Sequence, residues 1–408
     1  MPCFPIILAT ALALALLQAA TPATAQTLPG PVPNLMPEVQ QSGQWYPGTV
    51  SAMLRQRDGK ILVGGSFMRV EGGVPRANLL RLNADGTLDE DFAPQIGGSG
   101  GTVGVYALAV WRDRIYVGGL LTNVNGANGN SIVRLHMDGT PDTTWVSPFS
   151  STTYNQIWAI AVTPAGVFVG GDIQDHDAWG LARLSLEDGQ FDPSWVAQTQ
   201  ASPTANPTAG NRGAVHALAV TGGDLLVGGG FRQIAGVERA GAARLSQSAP
   251  ATVGAFDGNL NSDAVVYSLE LDGDRVYLGG SIHLDNIYYL ARFDAGSGVL
   301  DSAWRPAIGS YAYSLHLDVD MLYVGGSFTN AVPGGARLLR IPVTGDGTID
   351  TGWNPNASNT VYAIADNGYG LLVAGGSFVT MSGEARNGLA GFGVPENDII
   401  FIDGFDGE

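Results

Sequence analysis

The sequence predicts an all-β fold, a seven-bladed β-propeller with four antiparallel strands per blade and a last blade closed by an N-terminal strand. Three observations predict it: a glycine pair that recurs seven times, four apolar stretches that recur with it, and an aromatic marker that falls one short at the C-terminus and is made up at the N-terminus.

The glycine pairs begin at Gly64, Gly118, Gly170, Gly228, Gly279, Gly325 and Gly375, spaced 54, 52, 58, 51, 46 and 50 residues apart. A period of this length marks a stack or ring of supersecondary units. Each pair ends a stretch such as "DRIYVGG" (113–119). A residue without a Cβ lets neighbouring backbones approach, or permits a bulge. Both roles are structural.

The strands come from the second unit: "VYALAV" (105–110), "RIYVGG" (114–119), "SIVRLHMDG" (131–139) and "PDTTWV" (141–146). Each is short, β-branched or aromatic, and bounded by turn formers. The pairs Asp85-Gly86, Asp138-Gly139, Asp188-Gly189 and Asp346-Gly347 supply turns after the third stretch, since glycine accepts the positive φ that tight turns demand. No segment beyond the leader keeps a helical period.

An aromatic residue marks the fourth stretch at Phe92, Trp145, Trp195, Phe256, Trp304 and Trp353, which makes six. The seventh unit stops at "NGLAGFGV" (387–394) without one. Before the first unit, "SGQWYPG" (42–48) offers Trp45-Tyr46-Pro47, which matches Trp304-Arg305-Pro306 and Trp353-Asn354-Pro355. The expectation is that this segment completes the last blade, because closing the ring removes exposed strand edges.

Within the units an arginine of the third strand is paired with an aspartate of the fourth. The pairs are Arg81 with Asp89, Arg134 with Asp142, Arg183 with Asp192, Arg292 with Asp301 and Arg340 with Asp350. In the last unit both partners are missing, with Gly391 and Ser42 in their places, as an ion pair requires. Arg244 is the exception, since Val253 stands where its aspartate should be. The guanidinium fork suits such a pair because it meets a carboxylate with two hydrogen bonds.

The 408 residues carry 37 acidic and 20 basic side chains, a net charge of −17. Lys60 is the only lysine and no basic run exists, so a nucleic-acid footprint is absent and anionic membranes are poor partners. The first 25 residues are uncharged, apolar from Pro5 to Leu17, and end in Ala23-Thr24-Ala25, a signal-peptide pattern. The expected organisation is a signal peptide (1–25), a linker (26–35), the propeller (36–394) and a tail (395–408). Cys3 lies in the leader, so disulfides and cysteine-ligated metals are excluded from the exported chain. The expected product is a secreted, cell-surface or periplasmic monomer without an integral membrane span.

"DGKILVGGSFMRVEGGVPRANLLRLNADGTLDEDFAP" (58–94) resembles the delta-60 repeat of bacterial secreted proteins through its GG-S-F, R-L-N-x-D-G and L-D-x-x-F elements. "GGSFTNAVPGGARLLRIPVTGDGTIDTGWNP" (325–355) is similar to it, while units three and five have shortened second-to-third connections. The resemblance spans residues 50 to 394 and implies an extracytoplasmic β-propeller without implying an activity. The tail "NDIIFIDGFDGE" (397–408) is similar to C-terminal tails ending in F-x-D-G-F-E on exported proteins of some Gram-negative bacteria, with Asp406 replacing the usual glutamate. Such tails suggest a sorting signal.

Candidate chemistry gathers where the first strands begin. Tyr106, Trp158, His216, Tyr267, Tyr313 and Tyr362 recur there, with Ser51 in the first unit. Packed between blades they are core; ringed around a channel mouth they bind a glycan or a protein, because Tyr and Trp combine area with a polar edge. The insertion at 197–213 belongs on the same rim. Asp172, Asp175 and Asp177, beside His176, form an oxygen-rich loop that could take calcium, although D-x-D-x-D-G spacing is missing. No other cofactor is indicated.

The alternative is a glycan hydrolase or lyase using His216 with acidic loop residues at the channel mouth. Catalytic motifs do not support it. Gly97-Gly98-Ser99-Gly100-Gly101 lacks the strand–turn–helix setting of a nucleophilic serine, and the five histidines show no zinc spacing.

Overall fold

The computed structural model describes residues 39–40, 48–70, 74–98, 103–151, 155–175, 178–201, 213–332 and 336–393. The leader, Trp45, Ser99, His176, Asp177, most of the 197–213 insertion and the tail lie outside the described residues. Among the described residues all regular structure is β, and no helix is long and apolar enough to cross a membrane.

Seven three-stranded antiparallel meanders follow one another along the chain. Sheet one contains Thr49–Arg55, Ile61–Ser66 and Leu79–Leu82. Sheet two contains Gly104–Trp111, Arg114–Leu120 and Ile132–His136, and sheet three Gln156–Thr163, Gly166–Asp172 and Leu181–Leu184. Sheet four is formed by Ala214–Thr221, Asp224–Gly230 and Ala242–Ser246. Sheet five is formed by Val265–Asp272, Arg275–Leu284 and Ile287–Asp294. Ala312–Asp318, Met321–Gly326 and Leu338–Pro342 make sheet six. Val361–Asp366, Leu371–Gly376 and Leu389–Gly393 make sheet seven. Each first strand packs on the first strand of the next sheet, and that of sheet seven packs on that of sheet one.

The core is divided in the same way. Each hydrophobic cluster combines two consecutive sheets. The last joins Ala363, Ala365, Val373 and Leu389 of sheet seven to Val50, Ile61, Val63 and Leu80 of sheet one. Among the described residues, sheets one and seven thus bury apolar side chains against each other, as the other neighbouring sheets do.

The two glycines of each pair do different work. A Cβ at Gly118, Gly228 or Gly325 would lie 2.7 Å from Ile157, Val266 or Val361 on the first strand of the following sheet. At Gly375 it would collide with Val50, across the junction of sheets seven and one. The second glycine instead faces its own sheet, where a Cβ on Gly65, Gly119 or Gly171 would strike the carbonyl of Thr49, Gly104 or Gln156.

The expected fourth strand is not a ladder. It meets the third strand in single bridges: Leu82 with Leu88, Leu135 with Pro141, Leu184 with Phe191, Leu245 with Val253 and Phe293 with Leu300. The chain then turns. Asp89 N–H donates to Arg81 O at 2.9 Å and Phe92 N–H to Asp89 O at 3.3 Å, and Asp142–Trp145, Asp192–Trp195 and Asp301–Trp304 repeat the turn. This turn ends the pairing by folding the aromatic residue back over the sheet. Phe92, Trp145, Trp195, Phe256, Trp304 and Trp353 are all buried.

The described N-terminal strand, Val39–Gln40, pairs with Arg69–Val70, a short strand between the second and third strands of sheet one (Val39 with Val70). Two other segments pair with the corresponding short strands, Asn123–Val124 and Gln233–Ile234, in the same manner, Ile96 with Val124 and Thr199 with Ile234. Each of those two follows its buried aromatic, Phe92 or Trp195, by four residues.

Candidate binding site

Every first strand contains one bulge. The registers skip a residue between Val50 and Ala52, Val105 and Ala107, Ile157 and Ala159, Val215 and Ala217, Val266 and Ser268, Ala312 and Ser314, and Val361 and Ala363. The skipped residues are Ser51, Tyr106, Trp158, His216, Tyr267, Tyr313 and Tyr362. A bulge leaves the extra residue out of the ladder and re-aims its side chain. All seven are half-buried, whereas the residues flanking them at the bulge are largely buried.

The rings touch in sequence around the axis. Trp158 and His216 stack at 4.5 Å with 3° between planes. His216 meets Tyr267 at 5.1 Å, Tyr267 meets Tyr313 at 5.0 Å, and Tyr313 meets Tyr362 at 5.5 Å. Tyr106 holds the same bulge position in sheet two, and Ser51 leaves sheet one without a ring. Burial between two aromatic rings pushes the His216 pKa down to about 4, so the imidazole is neutral at physiological pH. Burial also raises the Tyr267 and Tyr313 phenols. The collar is uncharged.

Four residues further along the first strands of sheets one, five, six and seven form a second group. Asp366 accepts from Arg55 across the junction of sheets seven and one, and its Oδ2 lies 2.7 Å from His316 Nε2. Glu270 Oε1 accepts from Leu317 N–H at 3.2 Å. Desolvation raises the Glu270 pKa to about 7, an effect partly offset by His316 and the Leu317 N–H. Burial opposes ionisation of Asp366, but the hydrogen bond and charge of His316 and the charge of Arg55 outweigh it and hold this carboxyl below its usual range. The sequence carried a signal for this group: Ala109, Ala161, Ala219 and Ala365 occupy the equivalent register position, three residues after the bulge, while sheets five and six carry Glu270 and His316.

The arginines of the third strands are placed as follows. Arg81 Nε lies 2.7 Å from Asp89, Arg134 Nη2 2.9 Å from Asp142, Arg292 Nη2 2.6 Å from Asp301 and Arg340 Nη2 2.7 Å from Asp350. Arg183 pairs with Asp192, its Nε lying 2.9 Å away. Arg244 takes Asp224 of the second strand instead, at 2.7 Å. Spacing along the fourth stretch had no means of showing that substitute. Nor did it show that five of these guanidiniums also reach the next sheet, as Arg81 does to Met137 O (2.7 Å), Arg183 to Gln247 O (2.5 Å) and Arg244 to Ala295 O (3.2 Å).

In the acidic loop Asp175 is buried and accepts from Ser150 N–H (2.6 Å) and Asn155 Nδ2 (3.0 Å). Asp172 lies 3.5 Å from Gln174 Nε2. Among the described residues no three His, Cys, Asp or Glu side chains are grouped to hold a metal.

The family model described as "Domain of unknown function (DUF5122) beta-propeller" matches residues 56–92 and 113–144. A search of the curated proteins gives no match. Among solved structures, the WD40 beta propeller domain of Doa1 superposes with a TM-score of 0.51 at 11% identity, over 89% of this chain and 99% of that one. The extracellular domain of the putative one component system BT4673 from B. thetaiotaomicron gives 0.50 at 14% identity, over 90% of this chain and 40% of that one. At such identities the likeness shows the fold alone. The chain is an all-β protein of the β-propeller type.

Proposed function

We propose that the chain is an exported, seven-bladed, delta-60-like propeller that binds a neutral glycan chain at the aromatic collar. The observation that carries the reading is the collar itself. Six of seven sheets spend their bulge on an aromatic or imidazole ring, and five of those rings touch in an unbroken arc. Such rings offer flat area with polar edges, while the −17 net charge disfavours polyanions. A hydrolytic reading centred on His216 has less support. Its imidazole is neutral, lies between Trp158 and Tyr267, and owes its shift to burial alone.

The same proposal covers ring closure. Counting back four residues from Val39 reaches Leu35, and Leu35-Met36-Pro37-Glu38-Val39 matches Phe92-Ala93-Pro94-Gln95-Ile96 position by position. Leu35 is therefore a second candidate beside Trp45 for the residue that completes the last unit, and both lie outside the described residues.

The test is calorimetric titration of the purified protein with neutral, uronate-containing and amino-sugar oligosaccharides, with and without calcium. Binding of a neutral glycan that disappears in the Tyr267→Ala/Tyr313→Ala variant is expected. No binding of any neutral glycan, or equal binding by that folded variant, overturns the reading.

A further inference from the structure

The geometry points to an extension of this site: a track of tyrosines leading from the collar across sheet five, which engages further residues of the same neutral glycan chain. This inference rests on the collar reading above and assigns Tyr311, Tyr289 and Tyr288 as additional sugar-stacking positions.

The track begins at Tyr311, which precedes the first strand of sheet six and touches both Tyr267 and Tyr313 at 6.2 Å. Tyr289 lies 5.6 Å from Tyr311, and Tyr288 lies 6.2 Å from Tyr289. His283 stacks on Tyr288 at 4.5 Å with 13° between the planes. The contacts are therefore continuous from the collar to the tip of one hairpin.

Sheets two, four and seven carry two-residue hairpins as separate short ladders, whereas in sheet five the hairpin continues the second and third strands themselves. These strands run on to a two-residue turn, Asp285-Asn286, and His283 pairs with Tyr288 across it. Both turn residues have positive φ, as this tight connection requires. Tyr289 also has φ of +69°, in the left-handed region where a bulky side chain is a genuine outlier. The strained backbone turns consecutive tyrosines to two uses. Tyr289 packs against the buried cluster that contains Trp304, while Tyr288 remains 43% exposed. The repeat itself imposes this conformation, since Asn78, Ser131, Gly180, Gly241 and Gly388 hold the same position before the third strands of their sheets, also with positive φ.

The chemistry favours a neutral sugar chain over other occupants. The tyrosines of the track bring hydroxyls and flat rings rather than acidic or basic side chains. Among the described residues no hydrogen bond occupies the hydroxyl of Tyr288 or Tyr311, which is 38% exposed. The track also continues an uncharged collar, so a chain held there meets the same surface chemistry along its length.

The experiment titrates wild type, Tyr288→Ala/Tyr311→Ala and Tyr267→Ala/Tyr313→Ala with gluco- and manno-oligosaccharides of graded length, and with a proline-rich peptide. Tyr288 and Tyr311 are chosen because they are exposed, whereas Tyr289 contributes to the core. Wild-type affinity is expected to rise with chain length. The Tyr288→Ala/Tyr311→Ala variant should lose about tenfold for long chains, the scale of two aromatic contacts, with disaccharide binding unchanged. An equal rise in wild type and that variant overturns the track and leaves the collar standing. Binding of the peptide alone, sensitive to Tyr288 and Tyr311, overturns the choice of ligand. A wild type that binds no oligosaccharide overturns both readings.

Discussion

Replacing Glu270 by Gln should stabilise the protein at neutral pH and do so far less in mild acid. The carboxyl ionises at about 7 in the folded chain, against its ordinary value of 4.5. Below about pH 4.5 both states hold the proton and Glu270 contributes nothing. Between the two values the unfolded chain releases a proton that the folded chain retains, so stability falls as pH rises. Above about 7 the penalty is complete. A difference of about 2.5 units corresponds to about 3 kcal/mol, at 1.36 kcal/mol per unit. Glutamine keeps an acceptor for Leu317 N–H and cannot ionise. Urea denaturation at about pH 5 and pH 8 measures the difference directly. The variant should gain about 3 kcal/mol over wild type at the higher pH, and somewhat under about 1 kcal/mol at the lower. A gap that does not change with pH refutes the desolvation argument.

Other perturbations test the frame. Asp142→Ala should cost about 3–5 kcal/mol by urea denaturation, since it leaves the buried Arg134 uncompensated. Asp301→Ala should cost less because its carboxylate is 35% exposed, and equal losses would show that burial does not set the scale. Gly375→Val should cost at least about 1–3 kcal/mol by forcing a side chain into Val50. Gly223→Val, with nothing within 4 Å, should stay within about 0.5 kcal/mol. Of Leu35→Asp and Trp45→Ala, the one at the closing residue should lower the thermal midpoint clearly, and a midpoint unmoved by either overturns closure of the ring by the N-terminal segment.

The sequence by itself determined the repeat. Apolar alternation, the glycine pairs and the Asp-Gly turns are local requirements of strand, sheet approach and positive φ, so they repeat visibly wherever the same unit is built. Arg134 and Asp142 were legible together because two partners of one interaction vanish together in the last unit. Tertiary structure alone decided what those residues do between units. It shortened the fourth strand to a bridge and a turn, gave Arg244 a partner on another strand, and sent five of the guanidiniums on to a neighbouring carbonyl. It also set the bulge under Tyr106, Trp158, His216, Tyr267, Tyr313 and Tyr362, which converts a repeated position into a collar of touching rings. Glu270, His316, Asp366 and Arg55 converge from four sheets, and Tyr288 reaches Tyr313 through Tyr289 and Tyr311. Contacts of that kind join residues far apart in the chain, and no local periodicity records them because each depends on how the sheets are disposed around the axis.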